Sequence, residues 1–448
     1  MEPQQPTAGR FDHLRGALRD YPPLIWSFLY FFFLLTGYYV LRPVRDAMGA
    51  SDDVLAVFPP AMVEWAAARG WVLGDLTLQL LFTGTFIMML LLQPAYGALV
   101  SRYPRRVFLP VLYVLFIACL LGFYVLFGRE VPGRGAVFFI WVAVFNLFAV
   151  SVFWSFMADI YTDPEARRLY GFIAAGGTLG GLLGPELTSR LVNQLGVGNM
   201  LLVSAGFLGL CLVCILRLGP WARARERERG NLLDEEAMGG RVLEGLRRIA
   251  ADPLLRSLAF LMFFGVGVGT LLYNEQNTIV REMTAGNPAA AEQATAFFST
   301  IDKWINWVVL VIQVFLTRFL LTRFGVAPLL LVPALAILAG FCVLFASPLP
   351  MLVAVVQVLT RASEFSLSKP ARETIYTRVD REARYKAKAA IDTVVYRGGD
   401  LAFAWLHKLM VVSGSQAVFA GGILVAGAFT ASAWRVVKEQ AKLPDDRH

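Results

Sequence analysis

Two arginines, Arg42 and Arg45, stand three residues apart at the end of an uncharged apolar stretch from Pro22 to Leu41. That spacing puts them on one face of a helix. Tyr38 and Tyr39 precede them and Asp46 follows. A guanidinium fork suits phosphate or carboxylate oxygens, and tyrosine rings beside it suit a flat ring. Similar groups recur within other apolar stretches. "LLYNEQNTIVRE" carries Asn274 and Glu275, "IDKWIN" carries Asp302 and Lys303, and "TRASEFSLSKPARE" carries Arg361, Glu364 and Lys369. Asp159 ends one stretch, and Asp392, Arg397 and Asp400 fall in another. Arg42, Arg45, Lys303, Arg361 and Lys369 together would make a basic cavity for an anionic solute. The interleaved carboxylates would pair with these bases in an empty cavity, or carry protons. Plainer roles stand beside these: Arg42 as an interface anchor, Lys369 snorkelling to an edge, Asp159 solvated or gating at a helix end, Asp392 and Asp400 holding Arg397. Glu186 and Arg190, four apart, read as an intrahelical pair.

The elements that position these side chains are membrane helices. The 448 residues are 57% hydrophobic and 17% charged, against roughly 25% charged in a soluble domain. About 20 consecutive apolar residues cross a bilayer. Twelve stretches qualify, beginning near Pro22, Leu76, Val107, Ala136, Gly171, Met200, Leu254, Ala296, Val326, Pro350, Ala387 and Ala417. Alternating strand patterns are absent, which argues against a barrel. The fold class is an all-α polytopic membrane protein.

No cleavable leader is expected, because the first apolar run is too long and lacks a small-residue cleavage site. Phe11, Leu14 and Leu18 are spaced for a short surface helix or belong to a disordered tail. The net charge of +8 is concentrated in alternate loops: "SRYPRR", Arg167 with Arg168, "RARERERG", and a group from Arg372 to Lys388. The positive-inside rule then puts both termini in the cytoplasm. Orientation explains the basic excess without nucleic acid. Cys119, Cys211, Cys214 and Cys342 all fall in apolar spans and read as packing residues. With three histidines in the chain, no metal site is expected. No cofactor is implied and no buried histidine is expected. No G-x-S-x-G, H-E-x-x-H or P-loop appears, so an enzyme is disfavoured.

A polar connector, 219–253, with one amphipathic helix (Val242, Leu243, Leu246, Ile249), divides the chain six plus six. The expected parts are a cytoplasmic segment 1–21, a half 22–218, the connector, a half 254–437 and a tail 438–448. "DPEARRLYG" from Asp163 resembles "DREARYKAK" from Asp380, and "SRYPRR" from Ser101 resembles "TRFGVA" from Thr322, at nearly one offset. That is how an internal duplication reads. Two related halves of six spans resemble the major facilitator fold. "GALVSRYPRR" resembles its loop signature, with Ser101 and Pro104 replacing Asp and Gly. Gly171, Gly180, Gly184 and Pro185 match the first part of its glycine motif, with Thr188 and Ser189 where the final glycine pair belongs. Gly176, Gly180 and Gly184 also form a small-residue stripe that admits a close neighbour helix.

"YYVLRPVRD", "FWSFMADIYTDPEARRLYGFIAAGGTLGGLLGP", "IDKWIN", "EFSLSKPARETIYTRV" and "KAKAAIDTVVYRGGD" together resemble the ATP/ADP translocase family from about Pro22 to Phe403. The arginine-rich N-terminus fits a bacterial inner membrane, and a monomer is expected. The resemblance implies a secondary transporter exchanging ATP and ADP by alternating access. It implies that spans one, four, seven and ten line the path. The substrate residues would then be the bases of spans one and ten, with Glu275 on span seven. Asp159, Asp302, Glu364, Asp392, Arg397 and Asp400 are the coupling or gating candidates. A proton-coupled carrier of another organic anion or drug-like solute on the same fold stands as the alternative, with Glu275, Asp302 and Glu364 as its proton sites.

Overall fold

The computed structural model describes residues 23–102, 105–229, 242–376, 379, 387–388 and 390–442. The N-terminal surface helix, Tyr103 and Pro104 of the basic loop, the middle of the connector, most of "DREARYKAK" and the end of the tail lie outside the described residues. Every described element is a helix. The elements are α1 (Pro23–Gly49), α2 (Val54–Val57), α3 (Pro60–Ala67), α4 (Thr77–Arg102), α5 (Arg105–Gly128), α6 (Arg134–Ile160), α7 (Asp163–Leu195), α8 (Val197–Arg229) and α9 (Val242–Ala251). They continue as α10 (Pro253–Thr284), α11 (Ala290–Ile312), α12 (Arg318–Phe324), α13 (Ala327–Ala346), α14 (Pro350–Ser363), α15 (Lys369–Tyr376), α16 (Tyr396–Val411) and α17 (Ser415–Gln440). A 3-10 turn, Leu73–Leu76, precedes α4. Three π turns, Gln313–Thr317, Glu364–Ser368 and Ile391–Val395, lead into α12, α15 and α16.

Among the described residues ten helices are long and apolar enough to cross a membrane. The expected spans near Gly171 and Ala387 lie in α7 and in the segment leading into α16. Both are helical, but Glu186 and Arg190 in α7, and Arg397, Asp400, His407 and Lys408 in α16, dilute their apolar runs. The chain divides into two compact units. The first takes the described residues within Met1–Arg42, Pro94–Glu130 and Trp141–Ala237; the second takes those within Pro43–Gln93, Val131–Ile140 and Met238–His448.

The first unit is held by rings and by close backbone approach. Tyr30 donates to the Tyr113 hydroxyl at 2.8 Å, and Phe31 stacks on Phe153 with centroids 4.4 Å apart. The glycine stripe of α7 faces α1. A Cβ on Gly176 would sit 2.5 Å from the Phe28 carbonyl oxygen, and one on Gly184 would sit 2.6 Å from Tyr39 Cβ. A Cβ on Gly180 would press on the Phe32 carbonyl oxygen and sit 2.9 Å from the Thr36 nitrogen. These neighbours are largely backbone and cannot swing aside, so the stripe sets how near the two helices lie. Thr162 and Glu165 form a capping box at the start of α7, with the Thr162 N–H donating to the carboxylate at 2.8 Å. Arg225 adds an ion pair to Glu165 at 2.7 Å. The D-P-E-A-R repeat is thus, in its first copy, a helix start.

The second unit has an apolar core along α10, α13 and α17 that includes Leu258, Leu271, Phe341, Phe419 and Phe429. Ile249 of α9 is buried against it and Leu246 packs alongside, so these two residues of the connector's apolar stripe are docked. Two of the π turns face each other: Thr317 donates to the Ser366 carbonyl at 2.7 Å, and Gln313 to that of Phe365 at 3.4 Å.

Gly180→Ala is expected to destabilise the protein by about 1–3 kcal/mol, the range for overpacking. Gly171→Ala, where a Cβ meets nothing within 4 Å, serves as the control. Thermal midpoints of the two detergent-purified variants check this, and equal midpoints would contradict it.

Candidate functional site

Helix α10 puts polar side chains where a spanning helix least tolerates them. Tyr273, Asn274, Glu275, Gln276 and Asn277 follow one another, none more than 6% exposed. Polar groups at such depth need partners, and other elements of the second unit supply several. The Tyr273 hydroxyl donates to Asp46 Oδ1 at 3.0 Å. The same oxygen accepts from Arg45 Nη2 at 2.5 Å and Nε at 2.9 Å. The Arg45 guanidinium also lies 5.2 Å from the Phe139 ring centroid. Glu275 Oε1 is 2.9 Å from His407 Nε2 in α16, with side chains only 3% and 5% exposed.

A polar rim surrounds this pair. Arg281 donates to the Gly74 carbonyl. Lys408 Nζ is 3.9 Å from Asp75 Oδ2. Gln79 donates to the Ala404 carbonyl at 3.1 Å, and the Trp405 indole N–H to Thr83 at 3.2 Å. The Asn274 and Asn277 amides donate back to the Thr270 and Tyr273 carbonyls, each at 2.7 Å. Those bonds fix the amide orientations. They leave Asn274 Oδ1 and Asn277 Oδ1 without a hydrogen-bond partner, and His407 Nδ1 also lacks one. All three residues line a cavity of about 190 Å3, walled also by Asp75, Arg281 and Lys408. Sites for organic ligands span roughly 300–1,000 Å3. At about 30 Å3 per water, this cavity takes a few waters or a small ion, and it is too small for a nucleotide.

A second polar group lies along α14 to α16. Asp400 accepts from Thr270 at 3.0 Å and from Arg397 at 3.3 Å. Glu364 pairs with Arg372 at 2.6 Å, and Arg372 is 8% exposed. Lys388 pairs with Glu373 at 2.6 Å. Arg361 is half-buried, its Nε without a hydrogen-bond partner. Lys369 and Asp392 are exposed, Asp302 is buried and Lys303 half-buried. In the first unit, the Arg42 guanidinium sits 5.7 Å from the Tyr39 ring centroid, and the Tyr38 and Tyr39 rings meet edge-on at 5.3 Å. Asp159 is half-buried there, and Glu186 and Arg190 form their intrahelical pair.

The structure therefore links Arg45 with α10 through Asp46 and Tyr273, and sets Asn274 on the cavity wall next to Glu275. Arg361 and Lys369 are not among the cavity's lining residues. One expectation needs correction: His407 is buried, 4% exposed. The sequence reading weighed histidines only as metal ligands, and a lone histidine serves equally well as a partner for a buried carboxylate. The signal that could have found it was its place in the apolar run from Leu401 to Val412.

Residues 56–355 match the family model described as Major Facilitator Superfamily, and residues 295–440 match the one described as TLC ATP/ADP transporter. ADP,ATP carrier protein 1 of Chlamydia muridarum is 24% identical over 59% of this chain and 56% of that one. The protein of the same name from Chlamydia trachomatis is 24% identical over 62% and 59%. The chloroplastic ADP,ATP carrier protein 1 of Arabidopsis thaliana is 23% identical over 86% and 68%. The match thus spans less than two thirds of the two chlamydial relatives. Among solved structures, a POT family transporter in complex with 5-aminolevulinic acid superposes with TM-score 0.63 at 12% identity, over 98% of this chain and 99% of that one. The inward-open xylose transporter XylE from E. coli gives 0.58 at 16%, over 94% and 96%. These two share the fold. The resemblance to ATP/ADP translocases read from the sequence is borne out by the second family model and by the carriers.

Tyr273→Phe removes the O–H that serves Asp46. The loss is expected to cost about 1–3 kcal/mol, the penalty for stripping a partner from a buried polar group. Chemical or thermal denaturation in detergent measures it. A variant as stable as the parent would show that Arg45 alone satisfies Asp46.

Proposed function

We propose that this chain, which belongs to the Major Facilitator Superfamily, exchanges ATP for ADP across a membrane by alternating access. The observation that carries the reading is the match of residues 295–440 to the ATP/ADP transporter model. That segment holds Lys303, Arg361 and Lys369, bases of the kind a polyphosphate needs. The named carriers among the relatives support the same substrate class. We assign substrate contacts to Tyr38, Tyr39 and Arg42 in the first unit. In the second we assign them to Arg45, Asn274, Glu275, Lys303, Arg361 and Lys369. Asp159, Asp302, Glu364, Asp392, Arg397 and Asp400 take coupling or gating roles.

In this reading residues 22–218 and 254–437 are the two halves that rock about the substrate, joined by the connector 219–253. The rim around Glu275 joins α1 and α4 of one half to α10 and α16 of the other, so its hydrogen bonds must break once per cycle. The chain is a multi-pass membrane protein with ten candidate spans among its described residues. We place it in a bacterial inner membrane as a monomer, with segment 1–21 and the tail 438–448 on the cytoplasmic side beside the basic loops. The buried Glu275–His407 pair favours a second reading, a proton-coupled carrier of another organic anion on the same fold.

Liposomes holding the purified protein and loaded with ADP are expected to take up labelled ATP, and empty liposomes to take up little. Arg42→Gln and Lys369→Gln are expected to raise the half-saturation concentration roughly tenfold or more. That follows from losing a charge-assisted hydrogen bond of about 1.5–3 kcal/mol. Uptake indifferent to luminal nucleotide but abolished by collapsing a pH gradient would favour the second reading. Two variants that transport like the parent would remove these bases from the substrate path.

A further inference from the structure

We propose that Arg281 and Lys408 form an entry site that takes the terminal phosphoryl group of a nucleotide arriving from the extracytoplasmic side, ahead of the substrate contacts assigned above. The nucleotide rests on the exchange reading, and the side rests on the orientation given with it. The site itself rests on how these two cations are held.

Both side chains wall the cavity of about 190 Å3, together with Asp75, Thr77 and Thr278. The cavity lies where α10 and α16 end and α4 begins. With both termini cytoplasmic, that is the outer end of these spans. Other bases of the chain sit on carboxylates: Arg225 on Glu165 at 2.7 Å, and Arg372 on Glu364 at 2.6 Å. Arg281 and Lys408 are engaged differently. Arg281 donates to the Gly74 carbonyl, a neutral acceptor, and no carboxylate pairs with it among the described residues. It comes so near because Gly74 has no side chain; a Cβ there would sit 3.2 Å from Arg281 Nη2. Lys408 Nζ stays 3.9 Å from Asp75 Oδ2, beyond hydrogen-bond range, and the Asp75 side chain is 60% exposed. A pair that long and that wet holds little energy. The cavity thus carries two cations against one carboxylate, and that carboxylate can turn into water.

A phosphoryl group answers this arrangement. Its oxygens accept from a guanidinium fork at two points and from an ammonium at a third. A cavity of this size admits one such group and leaves ribose and base outside. Asp75 holds the place beside Lys408 until the anion displaces it, and the anion then gains both cations. Displacement also removes two contacts that tie the start of α4 to α10 and α16. A nucleotide bound there loosens the end of the bundle through which it must pass. Cations against low-dielectric walls also concentrate anions and speed their arrival.

The competing account makes these residues a latch alone, and the two accounts differ in sign. A weakened latch raises the population open to the outside and so lowers the outer half-saturation concentration. An entry site that loses a cation raises it.

The test uses right-side-out and inside-out membrane vesicles from cells making the full chain, each loaded with ADP and given labelled ATP. In right-side-out vesicles Arg281→Gln and Lys408→Gln are expected to raise the half-saturation concentration about two- to fivefold, the worth of a partly exposed charge contact. Asp75→Asn is expected to lower it. In inside-out vesicles all three are expected to move the value less. A lowered outer value in both cation variants would overturn the proposal in favour of the latch. Unchanged outer values would overturn it in favour of a lipid headgroup or a structural role for the two cations. Equal rises on both faces would overturn it by putting them in the central substrate path. If Arg281→Gln fails to fold, Lys408→Gln and Asp75→Asn decide by their opposite signs. Absence of ATP uptake by the folded parent in both kinds of vesicle would instead remove the exchange reading, and this proposal with it.

Discussion

A polar side chain inside a spanning helix has to find its partner within the protein, because lipid offers none. Helix α10 carries this constraint five residues running, from Tyr273 to Asn277, and much of the second unit is arranged to meet it. Asp46 comes to Tyr273 and brings Arg45 with it. His407 comes to Glu275. These bonds fix the rotation of α1, α10 and α16 about their axes more tightly than apolar packing would, since a leucine face can slide and a carboxylate pair cannot. Of the groups involved, Asn274, Asn277 and His407 line a cavity, and Asp46, Tyr273 and Glu275 are buried.

The first unit is held in the opposite way. Gly176, Gly180 and Gly184 bring α7 against the backbone of α1, and Tyr30, Phe31, Tyr113 and Phe153 fill the space beside them. Contacts of this sort have no substitute in water or lipid, and a methyl group is enough to disturb them. The polar bonds around α10 and the glycine packing on α7 therefore differ in how easily they separate. The rocking of the proposed halves would draw on the first and leave the second intact.

Much of this was legible in the sequence, and for physical reasons. Apolar length announces a span, so ten of the twelve expected stretches stand as candidate crossings. The other two, near Gly171 and Ala387, are helical where described but are not among those ten. Small residues at a four-residue spacing announce close packing, and the glycines of α7 do pack closely. Local pairs are written in the spacing too, as Glu186 with Arg190 shows. Distant pairs are not. Tyr273 and Asp46 are 227 residues apart, and Glu275 and His407 are 132 apart. Which acid meets which base depends on helix rotation and depth, quantities set by the whole bundle. His407 was overlooked for that reason: its role exists only in relation to Glu275.

The π turns complete the argument. All three fall within residues 295–440, the segment matched by the ATP/ADP transporter model. A π turn takes in one more residue than an α turn and loosens the local ladder. Two of them face each other, and side chains of the first satisfy carbonyls of the second: Thr317 reaches Ser366, and Gln313 reaches Phe365. The turn at Glu364 begins with a carboxylate paired to Arg372, and the turn at Ile391 carries Asp392. Two of the three helix irregularities thus coincide with charges that a regular apolar helix would exclude. Each helps explain the other, because a loosened ladder leaves room for a side chain to change partners without unwinding the helix. The second unit therefore combines buried polar bonds around α10 with loosened turns beside its charges.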